Sequence, residues 1–196
     1  MTLGEIVDSL ELDCSCKHEG WKRAGSVGVE SAETYLLLQE MLRDAGAPLS
    51  EMILRTDENG KPSLNLPFGF SLSHSKGLLV CALASNVGER VCPIGVDVEL
   101  RGRMSGEQMH RIAERWFSDA ERRSLAEDPS EEAFLAIWTG KEAMAKYFGQ
   151  GLAVLRNCDT ARAAEEGITL STRRTSDAVV SLALPAGYKD RLEWNL

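Results

Sequence analysis

The chain has 196 residues, 43% of them hydrophobic and 27% charged, with a formal net charge of −8 at pH 7. That length and apolar content suffice for a core without disulfide support, arranged as one large or two small domains. The acidic balance excludes a generic nucleic-acid binder, which carries a basic footprint. No apolar run reaches the ~18 residues that a transmembrane helix needs, so no membrane association is expected.

The start of the chain, Met1 to Asp8, carries acids where a secretory signal needs a basic start and an apolar run, so a cytoplasmic location is expected. Residues 1–30 are poorly patterned. Within them Cys14, Cys16 and His18 form a C-x-C-x-H cluster that no second cluster completes to a four-ligand zinc site, so they read as ordinary side chains. Cys81, Cys92 and Cys158 stand among apolar residues, where a free thiol behaves as a small hydrophobe. Residues 20–28 read as a loop holding Lys22 and Arg23.

A helix is predicted over residues 30–45, with Ser31 as its N-cap, the stripe Tyr35, Leu38, Met41 and Leu42, and Gly46 to Pro48 as its stop. A short strand follows at 51–56, then the turn-forming residues 57–62. Strands are predicted at 70–75 and 78–85 with a bend at 75–77, a turn at 86–90, and a further strand over 91–100. Residues 104–127 read as helix, broken near Phe117 and Ser118, and residues 130–148 as a second helix stopped by Gly149-Gln-Gly151. The tail offers strands at 153–157, 168–173, 178–184 and 192–196.

Two stretches carry chemistry. In Gly95-Val-Asp-Val-Glu99, strand alternation puts Asp97 and Glu99 on one side. In Trp138-Thr-Gly-Lys-Glu-Ala-Met-Ala-Lys146, helical spacing puts Glu142 and Lys146 on one face. Three carboxylates and an ammonium that converge suit a hard divalent cation held against a phosphate. The plainer alternatives are a solvated strand face and a surface ion pair contributing about 0.3–0.5 kcal/mol. Lys141 projects into the apolar arc of Phe134, Ile137, Met144, Ala145 and Phe148, so its ammonium either snorkels out or meets an anion, with a pyrophosphate as the candidate. His74, between two serines, is either a structural hydrogen-bonder or a phosphate contact. Six arginines between Arg101 and Arg123 (with Arg103, Arg111, Arg115 and Arg122) form either a solvated helix face or a docking surface for an acidic partner.

In order, Gly60-Lys61-Pro62, Phe70-Ser-Leu-Ser73-His74-Ser75, Gly95-Val-Asp97-Val-Glu99, Trp116-Phe117-Ser118-x-x-Glu121 and Trp138-x-x-Lys141-Glu142-x-x-x-Lys146 resemble the marks of the 4′-phosphopantetheinyl transferase superfamily in its surfactin-type form. The resemblance runs from about Gly60 to Gly151, with 45 positions between Asp97 and Glu142. It implies an α+β fold of two pseudo-symmetric subdomains, each with antiparallel strands packed on a long helix and with the active site at their interface. The expected division is 1–93, carrying coenzyme A phosphate contacts, and 94–196, carrying the metal and catalytic signature, in a monomer.

The resemblance further implies Mg²⁺ on Asp97, Glu99 and Glu142, with Lys146 steadying charge on the phosphate. Either Glu142 or a metal-bound water takes the proton of the attacking serine. Coenzyme A contacts would come from Lys61, Ser73, His74 and Lys141, with Lys22 and Arg23 as further basic residues; relatives often have more Lys and Arg in that N-terminal third than this chain does. The implied reaction moves 4′-phosphopantetheine from coenzyme A to a serine of an apo acyl or peptidyl carrier protein and releases adenosine 3′,5′-bisphosphate. Two alternatives stay open, a coenzyme A or carrier-protein binding module without transfer and a Mg²⁺-dependent phosphohydrolase.

Overall fold

A computed structural model describes residues 29–57, 61–85 and 91–186. The readings at Cys14, Cys16, His18, Lys22 and Arg23, at the 86–90 turn and at the 192–196 strand lie outside those residues. Among the described residues the first helix is α1 (Val29–Asp44), which ends in an exposed Arg43 and a left-handed Gly46. Strands β1 (Leu54–Thr56) and β2 (Pro62–Leu64) pair antiparallel, with Leu54 opposite Leu64. Strands β3 (Phe68–Ser75) and β4 (Leu78–Ser85) form a hairpin closed by two residues, Lys76 at φ 40° and Gly77 at φ 89°. Positive φ at both central positions is what a two-residue turn requires to match strand twist, and glycine accepts it without a Cβ clash. Leu38 and Leu42 of α1 close over Leu54, Leu64, Leu66 and Phe70 to make one core.

A three-stranded sheet has the order β5 (Gly95–Leu100), β7 (Ala178–Pro185), β6 (Ile168–Arg174), all antiparallel, with Asp97 opposite Ser181. The central strand is an almost unbroken apolar run, the pattern of a strand buried on both faces. On one face Val96, Val98, Val180, Leu182 and Leu184 pack with Val80 of β4. The other face lies against the long helix α4 (Glu131–Phe148): Leu135 packs with Val179, Ala143 with Ala183, and Thr139 Oγ1 lies 2.8 Å from Ser181 Oγ.

The helical stretch 104–127 is two helices, α2 (Gly106–Trp116) and α3 (Asp119–Glu127), each opened by a capping box, Ser105 with Gln108 and Ser118 with Glu121. Each pair satisfies two N–H groups that a helix start leaves orphaned, which is why the break falls at Phe117–Ser118. The expected strand at 153–157 is instead a 3-10 turn, Gly151–Val154, followed by irregular chain. Its apolar residues, Leu155 with the neighbouring Cys158, bury against α4 rather than along a ladder. The strand expected from residue 91 begins at Gly95, and β2 is an element the sequence reading did not assign, its first residue having been the last of the expected 57–62 turn. No helix among the described residues is long and apolar enough to cross a membrane.

Candidate active site

The signature strand and helix meet because one residue between them has no side chain. A Cβ on Gly95 would lie 2.0 Å from the Ala143 carbonyl oxygen and 2.5 Å from the Tyr147 backbone nitrogen. Only glycine lets β5 enter that close beneath α4. The approach brings Lys146 over the strand. Its Nζ donates to Asp97 Oδ1 at 2.7 Å, to the Val96 carbonyl at 2.9 Å and to the Leu72 carbonyl at 3.3 Å. An ammonium has three N–H bonds, and all three are engaged.

Strands β3 and β5 lie side by side but share no backbone ladder. Serine hydroxyls join them instead: Val96 N–H donates to Ser71 Oγ at 2.9 Å, Ser73 Oγ to Asp97 Oδ1 at 2.7 Å, and Ser75 Oγ to Glu99 Oε2 at 3.0 Å. Asp97 Oδ1 thus takes two donors, while Oδ2 is buried without a partner. Glu142 stands within hydrogen-bonding reach of Asp97. Its carboxyl is pushed up to about 9, first by burial, then by the charge and hydrogen bonding of Asp97; Glu99 adds to the rise and Lys146 opposes it. Burial also raises Glu99, against the Ser75 hydrogen bond.

The donor chemistry fits a hard divalent cation: three crowded carboxyl groups, an orphaned buried oxygen, and an acid that holds its proton far above the ordinary range. Among the described residues, however, no three His, Cys, Asp or Glu side chains close around a common point. Glu142 faces Asp97, Glu99 is paired with Ser75, and the ammonium of Lys146 supplies the positive charge beside Asp97.

A cavity of about 350 Å³ opens next to this cluster. Its walls combine apolar groups from Tyr35, Phe70, Leu72 and Ala145 with the cations or hydrogen-bonding groups of Lys61, His74 and Lys146. Lys61 Nζ donates to the carbonyls of Lys146 at 2.6 Å and Tyr147 at 3.2 Å, so it caps the C-terminal end of α4. Burial lowers its pKa, partly offset by Asp57.

The sequence-predicted Asp97, Glu99, Glu142, Lys146 and Ser73 therefore come together, and Lys61 and His74 line the adjoining cavity. Lys141 does not join them. It is fully buried, its Nζ 2.9 Å from Glu121 Oε2 and also hydrogen-bonded to the Cys158 carbonyl. The anion it meets is a carboxylate of its own chain, and a side chain with no exposure does not reach a ligand. Glu121 completes the network by accepting from Thr160 N and Thr160 Oγ1, both at 2.8 Å. The sequence reading missed Ser71 and Ser75, whose signal was the alternation of serines at 71, 73 and 75. It also missed Tyr35 as a cavity wall, having taken it for helix stripe alone.

An α+β protein with an acid pair on a strand, an acid–lysine pair on the helix above it and a partly basic cavity alongside is the class that fold and site define. Residues 93–186 match the family model of the 4′-phosphopantetheinyl transferase superfamily. The chain is 33% identical over 138 residues to the 4′-phosphopantetheinyl transferase psf-1 of Bacillus pumilus, covering 67% of this chain and 55% of that protein. It is 33% identical over 144 residues to the transferase Sfp of Bacillus subtilis strain 168 (71% and 55%) and 38% identical over 128 residues to AcpT of Salmonella typhimurium strain LT2 (62% and 61%). The chain belongs to the 4′-phosphopantetheinyl transferase superfamily. The matches span between about half and three fifths of these relatives' length.

Proposed function

We propose that this protein transfers 4′-phosphopantetheine from coenzyme A to a serine hydroxyl of an apo carrier protein, with Mg²⁺, and releases adenosine 3′,5′-bisphosphate. One observation carries the reading: Asp97 and Glu142 meet beside Lys146, and Lys146 lines a cavity together with Lys61 and His74. Asp97, Glu99 and Glu142 would hold Mg²⁺, which offsets pyrophosphate charge when bound. Lys61 and His74 suit phosphate oxygens, since cationic N–H groups bind them in charge-assisted bonds. The serine oxygen forms a bond to the phosphorus that carries pantetheine while the anhydride P–O bond breaks and adenosine 3′,5′-bisphosphate leaves with the bridging oxygen. Glu142 or a water takes the serine proton. Lys146 would release one of its three present acceptors to steady the charge on the reacting phosphate; such catalysis is mostly positioning and electrostatics.

Two halves near 1–93 and 94–196, one built on α1 and one on α4, suit this chemistry at their seam, in a cytoplasmic monomer without nucleic acid. The pairing of α1 with β3–β4 and of α4 with β5–β7–β6 supports that division. The test is incubation with coenzyme A, Mg²⁺ and an apo carrier protein. A mass gain of about 340 Da on the carrier, the size of the transferred group in a metal-assisted transfer, is expected. Bisphosphate release without mass gain would instead show hydrolysis, and neither would leave a binding module.

A further inference from the structure

The seam between β3 and β5 has an unusual construction. Alternation puts residues 71, 73 and 75 on one face of β3. All three are serines, and each meets β5: Ser71 at the Val96 N–H, Ser73 at Asp97, Ser75 at Glu99. As the serine number rises its partner's rises too, so the row runs along β5 like a side-chain ladder in place of the missing backbone one. Two of its three rungs end on carboxylates.

We propose that Ser73 and Ser75 are positioning residues for a divalent cation on β5, holding Asp97 and Glu99 with one oxygen each and leaving the other oxygen for the ion. This inference rests on the metal reading of the site given above. It separates two jobs for Ser73. A residue that only touches coenzyme A has no effect on metal binding when coenzyme A is absent. A residue that fixes Asp97 does, and its hydroxyl lies 2.7 Å from that carboxylate. Ser75 carries the independent rung, since its partner Glu99 is a different acid. The row also explains the orphaned Asp97 Oδ2. With Oδ1 held by Ser73 and Lys146, the orientation of the carboxylate is fixed and Oδ2 is bound by neither of them. Ligating carboxylates are commonly held this way by a neighbouring hydrogen-bond donor, and loss of such a donor costs about 10–100-fold in metal affinity.

The experiment is Mn²⁺ binding to the purified protein without coenzyme A, read from the loss of the free-ion paramagnetic resonance signal. Ser75→Ala should weaken Mn²⁺ by about tenfold, the lower end of that range because Ser75 is partly exposed, and Ser73→Ala, at a buried position, by at least as much. Ser75→Thr keeps a hydroxyl in a strand-compatible side chain and should restore binding. At saturating metal, transfer turnover in Ser75→Ala should return toward the parent value, which a general loss of structure would not allow. In a Glu99→Gln background, Ser75→Ala should have little additional effect. Parent-like Mn²⁺ binding in both alanine variants overturns the positioning role while leaving the metal site standing. A parent that binds no Mn²⁺ overturns the metal site itself, and this inference with it.

Discussion

Two lysines five residues apart on α4 show how burial and partners decide a side chain's work. Lys141 pairs with Glu121 at 0% and 1% side-chain exposure, inside a network that also takes the Thr160 amide and hydroxyl. Removing one member strands the other's charge in a dry interior, which typically costs about 3–5 kcal/mol. Glu121→Ala should lose about that much in denaturant unfolding, with coenzyme A affinity unchanged in the molecules that remain folded. A large loss of coenzyme A affinity with unaltered stability would return Lys141 to the ligand. Lys146 is the reverse case. It is about a third exposed, faces the cavity and holds Asp97. Lys146→Ala should lower turnover by about a hundred- to a thousandfold, the usual cost of one preorganised electrostatic contact. Steady-state transfer with thermal melts alongside checks this, and near-parent turnover would leave Lys146 as the strand's counter-ion and no more.

At the level of elements, the contact that matters is β5 beneath α4. Gly95→Ala puts a methyl group where a carbonyl oxygen stands 2.0 Å away, so strand and helix must part. Overpacking of this kind costs about 1–3 kcal/mol, and here it also moves Asp97 away from Lys146. A lowered melting temperature together with lost transfer is expected; a variant as stable and as active as the parent would contradict the close approach. The sequence made this element pair legible because both parts are strongly periodic: alternation showed the acid face of β5, and i,i+4 spacing showed the Glu142–Lys146 face of α4. Turn chemistry at Lys76–Gly77 and the stop at Gly149 were equally local and equally readable. What stayed hidden was long-range. Nothing local says that Lys141 will find Glu121 twenty residues earlier, or that three serines on β3 will reach β5 across a seam without a ladder. The 153–157 stretch was misread for a related reason. An apolar run records burial, and only the tertiary partner, here α4, decides whether it buries as strand or as turn.

For the molecule as a whole, the acid cluster makes stability depend on pH, and a cation bound there would change that dependence. The Glu142 carboxyl rises from an ordinary value of 4.5 to about 9 in the folded chain, and burial raises Glu99 as well. Below about pH 4.5 Glu142 is protonated in folded and unfolded chains alike, so the favourable protonated contact is fully present. Between there and about pH 9 the unfolded chain has released the proton and the folded chain has kept it. The folded state then binds more protons, and stability falls as pH rises, until the folded pKa is passed. The metal-free protein should therefore melt at progressively lower temperature from about pH 5 to 9, and Glu142→Gln, which cannot ionise, should flatten that slope. A cation needs the ionised carboxylates, so its binding releases protons and its affinity climbs with pH. Adding Mg²⁺ should accordingly raise the melting temperature most at the alkaline end, offsetting the loss seen without it. Melting curves across that range, for parent and Glu142→Gln, each with and without Mg²⁺, separate the contributions. If the two proteins show the same slope without Mg²⁺, Glu142 is not the group that holds its proton. If Mg²⁺ shifts neither at any pH, the crowded carboxylates are stabilised by Lys146 and protonation alone.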